Sequence, residues 1–281
     1  MNYKELNALI SLLEDPDKEI FDSVKSRLVE LGIEVLPELE SAWESNYDSL
    51  IQERAENIIY EIHFRDIVKS LKKWIQKKDK NLLEAWFIIS KYQYPDIDEQ
   101  FYRTKIYNLV SQINLEVEQT YSELAKISDF NRVFFTQNGF KGNTRNFQSP
   151  DNSFINTVID KHMGNPLTLS MLYIIIAEKI NLPICGVNMP KHFIIGFEDV
   201  NEINGDPIKF YINPFNKGAI LNRQDLEVYL KKEKLKEDSK YFTPCGNTTV
   251  IKRLLNNLFH SFTFQSKNEK AQEIITLIRL F

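Results

Sequence analysis

The segment that most constrains the fold is residues 164–183. Gly164-Asn165-Pro166 precedes a run in which Leu167, Leu169, Met171, Leu172, Ile174, Ile175, Ile176 and Ala177 occupy nearly every side of a helix. Asparagine caps helices well and proline suits their first turn, so the helix is predicted to start near Asn165. Asn181-Leu182-Pro183 closes it. A helix apolar all round offers no face to water, so the rest of the chain has to enclose it. At about 14 residues, with Thr168 and Ser170 inside and Glu178-Lys179 at its end, it is too short and too polar to span a bilayer.

Three strand-like runs follow. They are residues 184–187, residues 192–197 starting at His192, and residues 209–213 ending at Asn213. Residues 199–207 read as a turn between the second and third. Upstream, residues 129–150 are rich in Asn, Gly, Gln, Ser and Thr, with Phe134, Phe135, Phe140 and Phe147 interleaved. They read as a long loop anchored by aromatics. Asp151-Asn152-Ser153 is a capping cluster ahead of a short helix at Phe154.

Residues 1 to about 125 carry helical periodicity throughout. Leu6, Leu9, Ile10, Leu12 and Leu13 form one stripe, and Ile20, Val24, Leu28 and Leu31 the next, ending at Gly32. Leu36, Leu39 and Trp43 follow around Pro37. The pattern suggests a HEAT-like helical hairpin, with further helices over residues 50–71, 82–92 and 101–113. Near the C-terminus, Ile251, Leu254, Leu255 and Leu258 share one helical face, and Ala271, Ile274, Ile275, Leu277 and Ile278 mark another helix. Lys231 to Lys240 is a mixed-charge run expected on a solvated helix face.

Composition narrows the function. The 281 residues include 35 Lys+Arg and 39 Asp+Glu, a net charge of −4, which argues against a dedicated nucleic-acid binder. Two cysteines, Cys185 and Cys245, make neither a disulfide framework nor a four-cysteine zinc site. No phosphate-binding glycine loop is present. His63, between Ile62 and Phe64, reads as a packed core or boundary histidine, and His162 and His260 have no carboxylate or cysteine partners at metal-ligand spacing, so no metal and no cofactor are expected. Met1-Asn2-Tyr3-Lys4-Glu5 lacks a signal-peptide layout, and the expectation is a reduced, cytoplasmic protein with no membrane segment.

The order of buried helix, strand, His-led strand and Asn-ended strand is that of papain-like and transglutaminase-like folds. There a cysteine at the helix N-terminus is acidified by the helix dipole, a histidine takes its proton and an Asp or Asn orients the imidazole. Asn152-Ser153-Phe154-Ile155-Asn156, Gly164-Asn165-Pro166-Leu167-Thr168-Leu169-Ser170, Leu182-Pro183, Gly186-Val187, Pro190-Lys191-His192-Phe193 and Asn213-Pro214-Phe215-Asn216-Lys217-Gly218 resemble the SirB-type transglutaminase-like family. The resemblance is strongest at 138–221. Members often read Pro-Gly-His-Phe where this chain has Lys191, and Asp-Pro-Phe where it has Asn213.

The resemblance implies an α+β fold: a helical N-terminal region, a papain/transglutaminase-like core whose buried helix packs on a small antiparallel sheet, and a C-terminal helical pair. The expected domains are 1–127 (HEAT-like), 128–245 (core) and 246–281 (tetratricopeptide-like). His192 and Asn213 take the base and orienter positions. The nucleophile position falls near Pro166, and neither it nor Leu167 or Thr168 is a cysteine.

Cys185, in an apolar strand, is expected to be a buried, unreactive thiol. Cys245, in a loop, has no histidine near it in sequence. Thr168 is the remaining hydroxyl, poorly suited because its pKa is far above a thiol's. The leading expectation is a catalytically degenerate protein serving as a binding or regulatory module, with a protein or peptide partner. The alternatives are an amidohydrolase or acyltransferase using Thr168 with His192 as base, and a scaffold with a vestigial cleft.

Overall fold

The computed structural model describes residues 3–199 and 206–281. It divides into two compact units, residues 1–74 with 91–95, and residues 75–90 with 96–281.

The first unit is helical: α1 (Tyr3–Ser11), α2 (Lys18–Leu31), α3 (Leu36–Ser45) and most of α4 (Ser49–Gln76). Asp17 starts α2, its Oδ1 accepting from Glu19 N at 2.8 Å. Gly32, with φ +73°, ends the helix in a conformation that disfavours other residues. The apolar stripes read from sequence merge into one core of Leu6, Leu13, Val24, Leu28, Leu39, Ala55, Ile58 and Ile62.

The second unit is α+β. It contains α5 (Leu82–Ser90), α6 (Glu99–Val117), α7 (Glu123–Asn131), β1 (Lys141–Gly142), α8 (Ile155–Lys161), β2 (Met163–Gly164) and α9 (Pro166–Lys179). There follow β3 (Ile184–Val187), β4 (Ile194–Glu198), β5 (Ile208–Asn213), β6 (Ala219–Leu221), α10 (Arg223–Lys232), α11 (Asn247–Phe264) and α12 (Asn268–Ile278). The main sheet runs β3-β4-β5-β6, antiparallel throughout, and β1 pairs in parallel with β2.

Helix α9 is buried from Pro166 to Ala177. It packs on β3 and β4 and against α5, α6, α8 and α11, which accounts for an apolar surface on every side. The far face of the sheet closes with α10 over a second core of Val187, Ile194, Ile208, Tyr211, Leu226 and Leu230. Alternate strand residues serve the two faces.

Three local readings are corrected. Residues 129–137 are not loop: α7 runs on into a π-helical turn, Arg132–Gln137, because Phe130, Val133 and Phe134 fall at helical spacing and are buried. The run from Lys231 to Lys240 is α-helical only to Lys232; Lys234 breaks it with φ +55°, and a short 3-10 turn starts at Ser239. His192 lies two residues ahead of β4, not in it. Of the turn read at 199–207, residues 200–205 lie outside the described residues, and Asp199 N donates to Pro207 O at 2.9 Å across it. Among the described residues no helix is long and apolar enough to cross a membrane.

Candidate functional site

The site is organised by the start of α9. Thr168 N donates to Asn165 Oδ1 at 3.0 Å, and Asn165 N donates to Thr168 Oγ1 at 3.0 Å, a reciprocal capping box. Thr168 Oγ1 also donates to Asn152 O at 2.7 Å and is fully buried. Pro166 takes the first helical position, where its missing N–H leaves no donor unsatisfied.

Asn152 ties the preceding loop to this start. Its Nδ2 donates to Asn146 O at 2.7 Å and Phe147 O at 3.1 Å, while its Oδ1 accepts from Asn143 Nδ2 at 2.8 Å. Phe147 is thereby held edge-on to Phe215, 6.0 Å between centroids. Phe215 in turn fills the space that Gly142 leaves open, where a Cβ would overlap its ring.

His192 is reached through Pro190-Lys191. Lys191 has φ +61°, a left-handed conformation, and its Nζ meets Glu233 Oε2 at 3.0 Å. This is the position where the resembled family often has glycine, and the backbone conformation explains why glycine suits it. The His192 ring lies 6.3 Å from Phe215 and 6.4 Å from Tyr229. Burial pushes its pKa down, a side-chain hydrogen bond with Asn213 pushes it up and Arg253 pushes it down, for a net value below the ordinary 6.5. Asn213 ends β5, and its Oδ1 also accepts from Phe215 N at 3.1 Å and Asn216 N at 3.2 Å. One side chain thus faces the imidazole and caps the turn carrying Phe215.

Pro166 and His192 line the same cleft, about 240 Å³ in volume, with Asn165, Leu167, Phe147, Gln148, Lys191 and Phe193. Its remaining wall is α11, through Arg253, Asn257, His260 and Ser261. The sequence shows α11 by its apolar stripe; Arg253, Asn257 and Ser261 were not singled out, and His260 was weighed only as a metal ligand. Their spacing of four, three and one places them on one helical face, but nothing local marks that face as turned toward a cleft. Thr168 is not among the lining residues.

Both thiols lie elsewhere. Cys185, expected to be buried, is half-buried and packs against the core under α10; its Sγ faces Gly196 O at 3.6 Å, and burial, with Glu198 nearby, pushes its pKa well up. Cys245 N donates to Gly186 O at 2.8 Å, and burial pushes its thiol up to about 11. His162 stacks on Phe140, its Nδ1 2.6 Å from Asn138 O. Among the described residues no group of three or more His, Cys, Asp or Glu is placed to hold a metal ion.

Residues 100–256 match the transglutaminase-like superfamily. A UPF0162 protein of Xylella fastidiosa is 26% identical over 196 residues, 68% of this chain and 68% of that protein. Protein SirB1 of Salmonella typhimurium is 27% identical over 185 residues, 64% of this chain and 65% of SirB1. F-box only protein 21 of Mus musculus is 26% identical over 204 residues, 62% of this chain but 32% of that protein. No solved structure matches the chain.

Proposed function

The chain belongs to the SirB-type transglutaminase-like family, and from that premise we propose that its cleft binds a peptide or protein side chain without reacting with it. The observation that carries this reading is Pro166 at the first position of α9, lining the same cleft as His192. Covalent acyl chemistry at a helix start needs a nucleophile whose ionised form the helix dipole favours. Proline brings neither a nucleophile nor an N–H. His192, with its pKa lowered, then faces no thiol to deprotonate.

Neither the two thiols nor Thr168 takes up the role. Cys185 and Cys245 are outside the cleft lining, and both are harder to ionise than a free thiol. The Thr168 hydroxyl is buried in the capping box and bonded to Asn152 O. What the cleft retains is shape and hydrogen-bonding groups, which suits recognition by a binding or regulatory module. The helical flanks add surface for a protein partner.

The test is an assay of amide hydrolysis and acyl transfer over a panel of glutamine- and asparagine-containing peptides, with binding followed in parallel by NMR. Saturable shifts in α9 and α11 resonances without turnover are expected. Turnover by the parent protein that disappears in a folded Cys185→Ser/Cys245→Ser double variant, or in Thr168→Ala or His192→Ala, would replace this reading with an enzymatic one.

A further inference from the structure

Arg253 is the unusual group in the cleft. It projects from α11, is half-buried, and carries a full charge at any ordinary pH. Its Nη1 donates to Asn188 Oδ1 at 3.1 Å and Met189 O at 3.3 Å. These are neutral acceptors. Among the described residues no carboxylate pairs with it, and its Nε and Nη2 have no protein acceptor. A guanidinium taken partly out of water without a counter-charge is unfavourable unless something supplies that charge.

The surroundings agree on the sign. No Asp or Glu is among the residues lining the cleft. The other cation there, Lys191, is already neutralised by Glu233. His260 and Asn257 stand on the same helical face as Arg253 and offer further donors. Across the cleft, Leu167 N has no acceptor among the described residues, and it sits at the positive end of α9. The walls between these donors are apolar: Phe147, Leu167 and Phe193.

We infer that the cleft is a carboxylate site, in which Arg253 pairs with one negative charge borne on a short, partly apolar residue that fills the 240 Å³ volume. One unpaired, permanent cation matches a monoanion better than a doubly charged phosphate. A planar fork of N–H donors matches the two oxygens of a carboxylate. The volume suits a single residue, with its aliphatic part against Phe147 and Phe193. The inference rests on the cleft being a binding site and names what it binds. A carboxylate of this kind can come from a peptide C-terminus or from a glutamate side chain.

The test uses the full chain and NMR titration with four probes: acetyl-Ala-Leu with a free carboxylate, the same dipeptide as its amide, acetyl-Ala-Glu-Ala-amide, and inorganic phosphate. At least one carboxylate probe should bind about tenfold or more tightly than acetyl-Ala-Leu-amide, as a charge-assisted pair requires. Whichever carboxylate binds more tightly identifies the source. Arg253→Gln should remove the advantage, and Arg253→Lys, which keeps charge but not the fork, should keep part of it. Circular dichroism checks that each variant folds, and the comparison on the unmodified chain stands whether or not they do.

Equal binding of acid and amide overturns the carboxylate assignment while leaving a non-reacting binding cleft in place. Phosphate binding more tightly than both carboxylates, no binding by any probe, or an acid advantage that survives in folded Arg253→Gln also overturns it. Turnover of a glutamine peptide would instead remove the non-reacting reading and leave the acid–amide comparison to stand by itself.

Discussion

Asn165 and Thr168 exchange hydrogen bonds at the start of the buried helix, each backbone N–H donating to the other's side-chain oxygen at 3.0 Å. Because Thr168 Oγ1 also donates to Asn152 O, one hydroxyl joins the helix start to the residue that organises the loop carrying Phe147. Thr168→Ala leaves Asn165 N and Asn152 O without this partner in a dry environment. A loss of about 2–3 kcal/mol is expected from the broken cap and the unsatisfied groups. Thr168→Ser keeps the hydroxyl and should recover most of that. Urea unfolding of the two variants checks both, and equal stability of Ala and Ser would show that the hydroxyl is not holding the cap.

Lys191 gives an opposite expectation. Its φ of +61° carries a steric penalty for any residue with a Cβ, on the order of 1 kcal/mol. Its ion pair with Glu233 is exposed and contributes little. Lys191→Gly should therefore leave stability unchanged or raise it by up to about 1 kcal/mol, despite the added freedom of the unfolded chain. Lys191→Val, β-branched, should be destabilising. Thermal melts of the pair measure this, and a Gly variant less stable than the Val variant would contradict the strain argument.

The contrast between Lys191 and Arg253 explains what the sequence made legible. The start of α9 was readable because Asn165-Pro166 and the following apolar run are local signals, and the capping box forms within four residues. Residues 192 and 213 were readable as a pair through motif order, since β4, which follows His192 by two residues, pairs with β5, which ends at Asn213. Arg253 was not readable. Its meaning depends on α11 packing against α9, a contact between segments far apart in sequence. The parallel β1–β2 pair was invisible for a related reason, because two residues per strand are too few for a period of two to show. The continuation of α7 into a π-helical turn was hidden by the polar residues around Phe130 and Phe134, although those rings were the guide.

Gly218 sits at φ +74° with its O accepting from Asn131 Nδ2 at 3.0 Å. A Cβ there would overlap the Asn131 side chain, whose Oδ1 in turn accepts from Tyr173 Oη at 3.2 Å. Gly218→Ala thus combines left-handed strain with displacement of a polar link to the buried helix. A loss of about 2–4 kcal/mol is expected. An Asn131→Gly background should relieve the overlap, so the Ala substitution should cost less there. Equal losses in both backgrounds, measured by denaturant unfolding, would mean that the overlap is not the cause.

The two thiols should resist labelling. Burial raises both, Cys245 to about 11 and Cys185 further, so little thiolate exists near pH 8. A disulfide reagent should label both sites slowly in the native protein and rapidly in denaturant. Mass mapping of the adducts separates the two. Fast native labelling of Cys185 would contradict its placement among Val187, Tyr211 and Leu230.

His192 should make stability depend on pH. Its folded pKa is below its ordinary 6.5, first because the ring is partly buried and also because Arg253 is near, with the Asn213 hydrogen bond opposing. In that window the unfolded chain binds more protons than the folded one, so stability rises with pH. The contribution is complete above 6.5, falls as pH drops through 6.5, and levels off below the folded value. Between about pH 7 and about pH 5 the protein should therefore lose stability more steeply than His192→Gln, which does not titrate there. Asn213→Asp reverses the balance. A carboxylate beside the ring favours imidazolium, and it can still accept from Phe215 N and Asn216 N as the amide oxygen does. That variant should move the His192 midpoint upward. NMR titration of the imidazole Cε1–H in both proteins reads the midpoints directly. A parent midpoint at or above 6.5, or one unmoved by Asn213→Asp, would remove the electrostatic account of this ring.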